Sequence, residues 1–259
     1  MSILRVIDLE KSFGGFHVIN GVTCDFPAGK ITGLIGPNGA GKTTLFNLMT
    51  GFLVPDAGKI ILDDIEINRI GPHKIVALGM TRTFQIVRVF PRLSLLDNVL
   101  LGFLDLPGNS LFSALIFSER DKNLYARKKD EARSMLEYVG LSQYENSMAN
   151  DLSYGQQKLV EIARALISKP RVFLIDEPFA GLNIVMIEKM LKLIEDIKSS
   201  GKTVILIEHN MDIVKQISDW ITVMNFGKIL ASDIPAKVIN DQKVIDAYLG
   251  ITQDDAKSE

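Results

Sequence analysis

Eight residues near the start of the chain have the types and the spacing of a loop that binds nucleotide phosphates. Residues 36–43 read Gly-Pro-Asn-Gly-Ala-Gly-Lys-Thr and match the pattern G-x-x-x-x-G-K-[ST]. Glycines let the backbone N–H groups of such a loop point inward at phosphate oxygens. Lys42 is expected to reach the β- and γ-phosphates, and the hydroxyl of Thr43 to ligate Mg²⁺.

Two adjacent carboxylates form a second candidate for chemistry. Asp176 and Glu177 follow the apolar run 173–175, so they stand at the C-terminal end of a predicted parallel strand, where they would face the phosphate site. Asp176 suits an outer-sphere contact with Mg²⁺, and Glu177 suits a general base that aligns the attacking water. Alone, the two acids would be read as solvated side chains; with the loop, they predict nucleotide hydrolysis.

A third group, residues 152–157, reads Leu-Ser-Tyr-Gly-Gln-Gln and stands just before a helical pattern that starts at Leu159. Ser153 could simply cap that helix. A helix N-terminus with a serine hydroxyl and a glycine backbone can also hold an anion. The residues alone leave both interpretations open.

These candidates need strands and helices to position them, and the surrounding pattern supplies both. A helix is expected to open at about Lys42, directly after the loop. The Asp-Asp pair at residues 63 and 64 is typical of a hairpin turn. The first three strands of this part are predicted to be antiparallel. The predicted strands are residues 4–9, 18–26, 31–35, 59–62, 66–67 and 80–84.

The pattern changes at about residue 93. From there to residue 153 the apolar residues recur at helical spacing, which predicts a helical subdomain inserted into the sheet core and broken at residues 107–110. Further on, short apolar runs at 172–175 and 203–207 flank an amphipathic helix and are typical of buried parallel strands. This alternation predicts an α/β sheet with crossover helices.

Composition excludes several classes of protein. The chain has 259 residues and a net charge of −2, so it lacks the excess of Lys and Arg over Asp and Glu that is typical of a nucleic-acid-binding protein. Its one cysteine, Cys24, excludes an intramolecular disulfide and is predicted to be a small buried residue. Neither a signal peptide nor an apolar run long enough to span a bilayer is recognisable, so a soluble, cytoplasmic protein is expected.

Taken together, these motifs resemble those of the ATP-binding cassette (ABC) family of ATPases. Residues 152–156 are similar to its signature motif, which lies shortly before the Walker B strand, here residues 173–177. Gln85, in Thr-Arg-Thr-Phe-Gln, resembles the Q-loop glutamine, and residues 180–183, Ala-Gly-Leu-Asn, occupy the D-loop position. His209 matches the switch histidine that contacts the γ-phosphate. Phe13 stands where the family has an aromatic residue that stacks on adenine.

The resemblance implies an ATPase that uses Mg²⁺, with Glu177, His209 and Gln85 as catalytic residues and with Thr43, Gln85 and Asp176 at the metal. The residues implied to bind ATP are Phe13, Gly36, Pro37, Asn38, Gly39, Ala40, Gly41, Lys42, Thr43, Thr44, Ser153, Gly155 and Gln156.

The implied fold is an α/β P-loop ATPase core, a mixed sheet with flanking helices, together with an N-terminal antiparallel β subdomain and an inserted helical subdomain. Within a single ATPase domain spanning residues 1–250, residues 1–90 and 159–250 would form the nucleotide-binding core with its antiparallel part. Residues 91–158 would form the helical subdomain, and residues 251–259 a disordered tail.

In this family two cassettes pair head to tail, so that each ATP lies between the phosphate loop of one subunit and the signature motif of the other. The implied partners are a second ABC ATPase, transmembrane permeases and, indirectly, a solute-binding protein, on the inner face of the cell membrane. No nucleic acid partner is implied. Two residues depart from the family motifs: Tyr154 replaces the first glycine of the signature pair, and Asn183 replaces the D-loop aspartate.

Finer features resemble the ATP-binding subunits of branched-chain amino acid importers, among them residues 13–15, 82–85, 103–133 and 248–250. This resemblance implies uptake of leucine, isoleucine and valine. One alternative is a related transporter with the same ATPase chemistry, for urea or for lipopolysaccharide export. Another is a soluble ABC ATPase that acts in translation or DNA repair. A P-loop kinase or a G protein would leave the signature motif unexplained.

Overall fold

Two sheets account for the strands in residues 2–105 and 119–249, the part of the chain that the computed structural model describes. The first is antiparallel, in the order β2-β1-β4-β5: β1 (Ser2–Phe13), β2 (Phe16–Pro27), β4 (Ala57–Leu62) and β5 (Ile65–Glu66). The second has the order β10-β9-β3-β8-β7-β6: β3 (Ile31–Ile35), β6 (Met80–Arg82), β7 (Val172–Asp176), β8 (Thr203–Ile207), β9 (Trp220–Asn225) and β10 (Lys228–Asp233).

The α-helices of the described residues pack against the strands and against one another. They are α1 (Lys42–Met49), α2 (Pro72–Ala77), α3 (Leu95–Leu100), α4 (Glu119–Tyr138), α5 (Tyr154–Leu166), α6 (Ile184–Ser199), α7 (Met211–Ile217), α8 (Pro235–Val238) and α9 (Gln242–Leu249). The predicted break at residues 107–110 and the predicted tail at 251–259 lie outside the described residues, as do parts of segments 103–133 and 248–250.

The predicted hairpin of the first sheet is confirmed. β4 and β5 pair antiparallel through Leu62 and Ile65, and the two residues between them, Asp63 and Asp64, both have positive φ angles of 44° and 66°. Two left-handed residues in succession make the tight turn whose twist suits a two-residue hairpin.

The prediction that the strand before the loop belongs to the antiparallel group is wrong. β3 runs parallel to both β8 and β9 in the second sheet. All five residues of β3 are buried, as are all five of β7 and of β8. Strands covered on both faces occupy the centre of a parallel sheet, and this is the reason that the three carry continuous apolar runs.

Two other details differ from the sequence expectations. The strand predicted at residues 80–84 ends at Arg82, and the helix expected to start at Leu159 begins at Tyr154. α5 therefore continues through residue 158, the residue at which the helical subdomain was predicted to end. It packs against α3, α4 and β6. The division of the chain into core and helical subdomain stays a prediction.

The parallel sheet matters for function because its central strands end together. The C-terminal ends of β3, β7 and β8 lie side by side, since Leu34 is level with Ile207 and Asp176 is level with Ile207. Segments that follow these strands therefore meet at one edge of the sheet. No helix of the described residues has the length and apolar character needed to cross a bilayer.

Candidate nucleotide-binding site

The phosphate loop connects β3 to α1, as predicted, and close backbone packing requires two of its glycines. Gly36 has a φ angle of 147°, and a Cβ atom there would lie 2.0 Å from the carbonyl oxygen of Met224 in β9. Gly41 has a φ angle of 101°, and its Cβ would lie 2.8 Å from the carbonyl oxygen of Val18 in β2. The loop is thereby pressed against both sheets, with the N-terminus of α1 directed at it.

Lys42 is held inside this loop. Its ammonium donates hydrogen bonds to the carbonyl oxygens of Gly36 and Pro37, at 2.7 and 2.8 Å. Burial lowers the pKa of Lys42, while the negative charges of Glu177 and Asp176 act in the opposite direction. The loop, the lysine and the two acids predicted from the sequence therefore belong to one electrostatic site.

A cavity of about 280 Å³ opens above the loop. Its walls come from five separate stretches of chain: one residue of β2, and four stretches at or after the ends of β3, β6, β7 and β8. The lining residues are Val18, Asn38, Gly39, Ala40, Gly41, Lys42, Thr43, Thr44, Gln85, Glu177, Ile207 and His209. This volume and this glycine-rich wall suit a polyphosphate.

Glu177 stands at the centre of the polar contacts in this cavity. Its Oε2 accepts a hydrogen bond of 3.0 Å from the side-chain amide of Gln85, and its Oε1 lies 3.0 Å from Nε2 of His209. Because a carboxylate accepts, Nε2 of His209 is the donor in that contact. The backbone of Glu177 is left-handed, with a φ angle of 48°, which is uncommon for a residue with a side chain.

Asp176 is not among the residues that line the cavity, and its carboxylate has a partner that the sequence did not predict. Its Oδ2 forms an ion pair of 3.1 Å with Nη2 of Arg82, and both side chains are almost wholly buried. The same guanidinium donates to Oδ1 of Asn47 in α1, at 2.7 Å. Burial raises the pKa of Asp176, and the charge of Arg82 opposes that rise.

Arg82 also lies over three aromatic rings, those of Phe46, Phe52 and Phe84, at 4.9 to 5.8 Å from the ring centroids. It thus connects α1, the Q-loop segment and the end of β7. In the sequence, Arg82 stands out only as part of the motif around Gln85 that resembles the family. A basic residue just before Gln85, in a strand that is otherwise buried, was the available signal.

The signature residues lie outside the cavity. Ser153 caps α5, accepting from the backbone N–H of Gln156, while the side chain of Gln156 accepts from the backbone N–H of Ser153. Within this chain the capping interpretation is therefore the one observed. Gly155 packs against α6, since a Cβ there would meet Met186 at 2.8 Å. Phe13 is 45% exposed at the end of β1 and does not line the cavity either.

The residues present fit ATP with Mg²⁺. A cradle of backbone N–H groups, a lysine and a helix N-terminus supply the groups that bind phosphates, and Thr43 is among the residues that line the cavity. Among the described residues there is no cluster of three or more metal-binding side chains.

Comparison with known proteins gives the same result as the geometry. The family model described as "ABC transporter" matches residues 19–180. The branched-chain amino acid transport ATP-binding protein LivG of Escherichia coli is 38% identical over 249 residues, covering 96% of this chain and 98% of that protein. BraF of Pseudomonas aeruginosa, of the same description, is 39% identical with the same coverage.

Solved structures agree with this relationship. The ADP conformation of an ATP-binding cassette of an ABC transporter superposes with a TM-score of 0.83 at 34% identity, covering 96% of this chain and 99% of that one. The predicted fold class, a mixed α/β sheet with flanking helices and an antiparallel N-terminal sheet, is thereby confirmed. The chain belongs to the ABC transporter family and is the ATP-hydrolysing subunit of such a transporter.

Proposed function

We propose that this chain hydrolyses Mg²⁺-ATP in the cavity above residues 36–44 and thereby drives the import of branched-chain amino acids. The observation that carries the catalytic part is the carboxylate of Glu177, which contacts both Gln85 and His209 in the cavity that the phosphate loop also lines. A base, two polar groups that orient it and a phosphate cradle are the parts that phosphoryl transfer to water requires.

Each side chain has a defined task in this proposal. The backbone N–H groups of the loop and the ammonium of Lys42 bind the phosphates and oppose their negative charge. Glu177 accepts the proton of the attacking water, Gln85 orients that water, and His209 donates to the γ-phosphate. Thr43 and Gln85, which line the cavity, would hold Mg²⁺, with Asp176 as an outer-sphere contact, and the ion would neutralise charge on the phosphates.

The site is incomplete in one copy of the chain. Ser153, Gly155 and Gln156 lie at the N-terminus of α5, outside the cavity, and the backbone N–H groups there can bind an anion. We infer that they meet the ATP of a second ABC ATPase, identical or similar, in a head-to-tail pair. The exposed ring of Phe13 is assigned to the adenine, where stacking is worth about 1–3 kcal/mol.

The transport assignment has two supports. LivG and BraF, which this chain resembles over nearly its whole length, are named as branched-chain amino acid transport proteins. In addition, the exposed Leu101 and Leu104 line one depression with Phe84, and Ile86 and Phe90 are exposed in the segment that follows Phe84; a permease would dock here. Apolar side chains grouped on a surface mark an interaction site. The chain would then act on the inner face of the membrane.

Purification of the tagged chain from its native membranes in mild detergent tests the transport assignment. Two permeases and a binding protein for aliphatic amino acids should accompany it, and a second ATPase will appear if the pair is heteromeric. A variant with Leu101→Asp and Leu104→Asp should lose the permeases while still binding ATP. Recovery of a urea or lipopolysaccharide transporter would replace the substrate, and recovery with ribosomes or DNA would refute transport.

A further inference from the structure

Lys158 is a buried cation whose hydrogen-bond partners are all backbone carbonyl groups. It lies in α5, five residues after the signature serine, and is only 5% exposed. Its ammonium donates to the carbonyl oxygens of Glu177, Pro178 and Ala180, at 2.7, 3.2 and 3.0 Å. An ammonium has three N–H donors, so each is satisfied by one carbonyl of the same short segment.

This segment carries the candidate base. Glu177 adopts a left-handed backbone, and such a conformation in a residue with a side chain persists only where its surroundings enforce it. The enforcing contacts come from two sides. The N–H of Glu177 donates to the carbonyl of Ile207, and the N–H of Phe179 donates to Glu208. Lys158 holds the carbonyl groups of the same turn, which fixes the direction in which the Glu177 side chain leaves the backbone.

Tyr154 extends the contact from Lys158 to the D-loop. Its ring lies 5.2 Å from the ammonium of Lys158, and a Cβ on Gly181 would approach the same ring at 3.3 Å. The tyrosine that replaces the usual signature glycine is thus packed between Lys158 and the D-loop. The first turn of α5 and the segment from Glu177 to Gly181 therefore form one packed unit.

We propose that Lys158 is a positioning residue for ATP hydrolysis: from the signature helix it holds the backbone turn that aims Glu177 at the attacking water. Displacement of the α5 N-terminus would then also displace Glu177. This consequence rests on the proposed function, in which the signature residues meet the nucleotide of the second subunit.

Lys158→Met tests the proposal because methionine keeps the apolar stem and removes the ammonium. Lys128→Met is the matched control. Lys128 is also a buried lysine, 6% exposed, but it pairs with Asp105 and lies over the ring of Phe103, away from Glu177. We expect Lys158→Met to lower kcat by about 10- to 100-fold, the scale of a misplaced reacting group. KM for ATP should change little, and Lys158→Arg should restore part of kcat.

Three results would overturn this role. The first is a kcat of Lys158→Met close to that of the unaltered chain. The second is an equal fall in kcat for Lys128→Met, measured well below both melting temperatures, since the cause would then be general loss of stability. The third is a double variant, Lys158→Met with Glu177→Gln, that no longer forms the ATP-dependent pair. Lys158 would then act by shaping the N-terminus of α5, where the signature residues meet the second subunit. Failure of the unaltered chain to hydrolyse ATP would instead count against the proposed function.

Discussion

Arg82 and Asp176 form a buried ion pair, with 3.1 Å between Nη2 and Oδ2, although 94 residues separate them in sequence. The pair connects the strand that precedes Gln85 with the strand that precedes Glu177. Gln85, Glu177 and His209 are the polar side chains that line the cavity outside the phosphate loop. The ion pair therefore fixes the position of Gln85 relative to Glu177.

Removal of one partner of this pair should be costly. Arg82→Met leaves the Asp176 carboxylate buried without a counter-charge, and we expect a loss of about 3–5 kcal/mol in the free energy of unfolding. Urea denaturation measures it. The double variant Arg82→Met with Asp176→Asn should recover part of the loss, because no unpaired charge remains. A double variant less stable than Arg82→Met would contradict this explanation.

Lys42 offers a test of the phosphate loop. Lys42→Ala removes an ammonium that lies within the loop, and hydrogen bonds to charged groups contribute about 1.5–3 kcal/mol. ATP affinity, measured with a fluorescent analogue, should therefore fall by roughly 10- to 100-fold. Lys59→Ala, at an exposed lysine of β4, is the control and should bind normally. Unchanged affinity of Lys42→Ala would count against the loop.

Cys24 gives a prediction about pH. Burial, reinforced by the charge of Asp25, raises the pKa of its thiol to about 12, so the unreactive protonated form dominates at pH 8 in the folded chain. A thiol reagent should label the native chain slowly at this pH and the urea-unfolded chain quickly, since the pKa returns to its ordinary value on unfolding. Rapid labelling of the native chain would show that Cys24 is accessible.

Sequence patterns predicted the parts of the site that depend on local spacing. The loop at residues 36–43 and the two acids at the end of β7 follow from glycine positions, apolar runs and the rule that parallel strands end at one edge. Gln85 and His209 carry no local pattern of their own, and only the family resemblance selected them. The structure places both against Glu177.

The contacts that sequence analysis missed are non-local. Lys158 donates to backbone carbonyl groups, which every residue has, so no residue type in the sequence indicates this contact. Arg82 pairs with Asp176, a carboxylate on a strand 94 residues further along the chain. The pairing of Asp176 with Arg82 was for the same reason not predicted, and the role of Asp176 at the metal stays a prediction. β9 and β10 were not predicted, although the apolar β-branched run in β9 before the Phe226-Gly227 turn was a usable signal.

The most direct test of the account is ATP turnover by Glu177→Gln, with Glu66→Gln at an exposed residue of β5 as the control. The amide keeps the shape of the side chain but does not accept the proton of the attacking water, and general-base catalysis contributes about 10²- to 10⁴-fold. We expect ATP binding to be retained, a stable ATP-dependent pair in sedimentation, and turnover lower by that factor. Hydrolysis near the rate of the unaltered chain would remove Glu177 as the base and contradict the account.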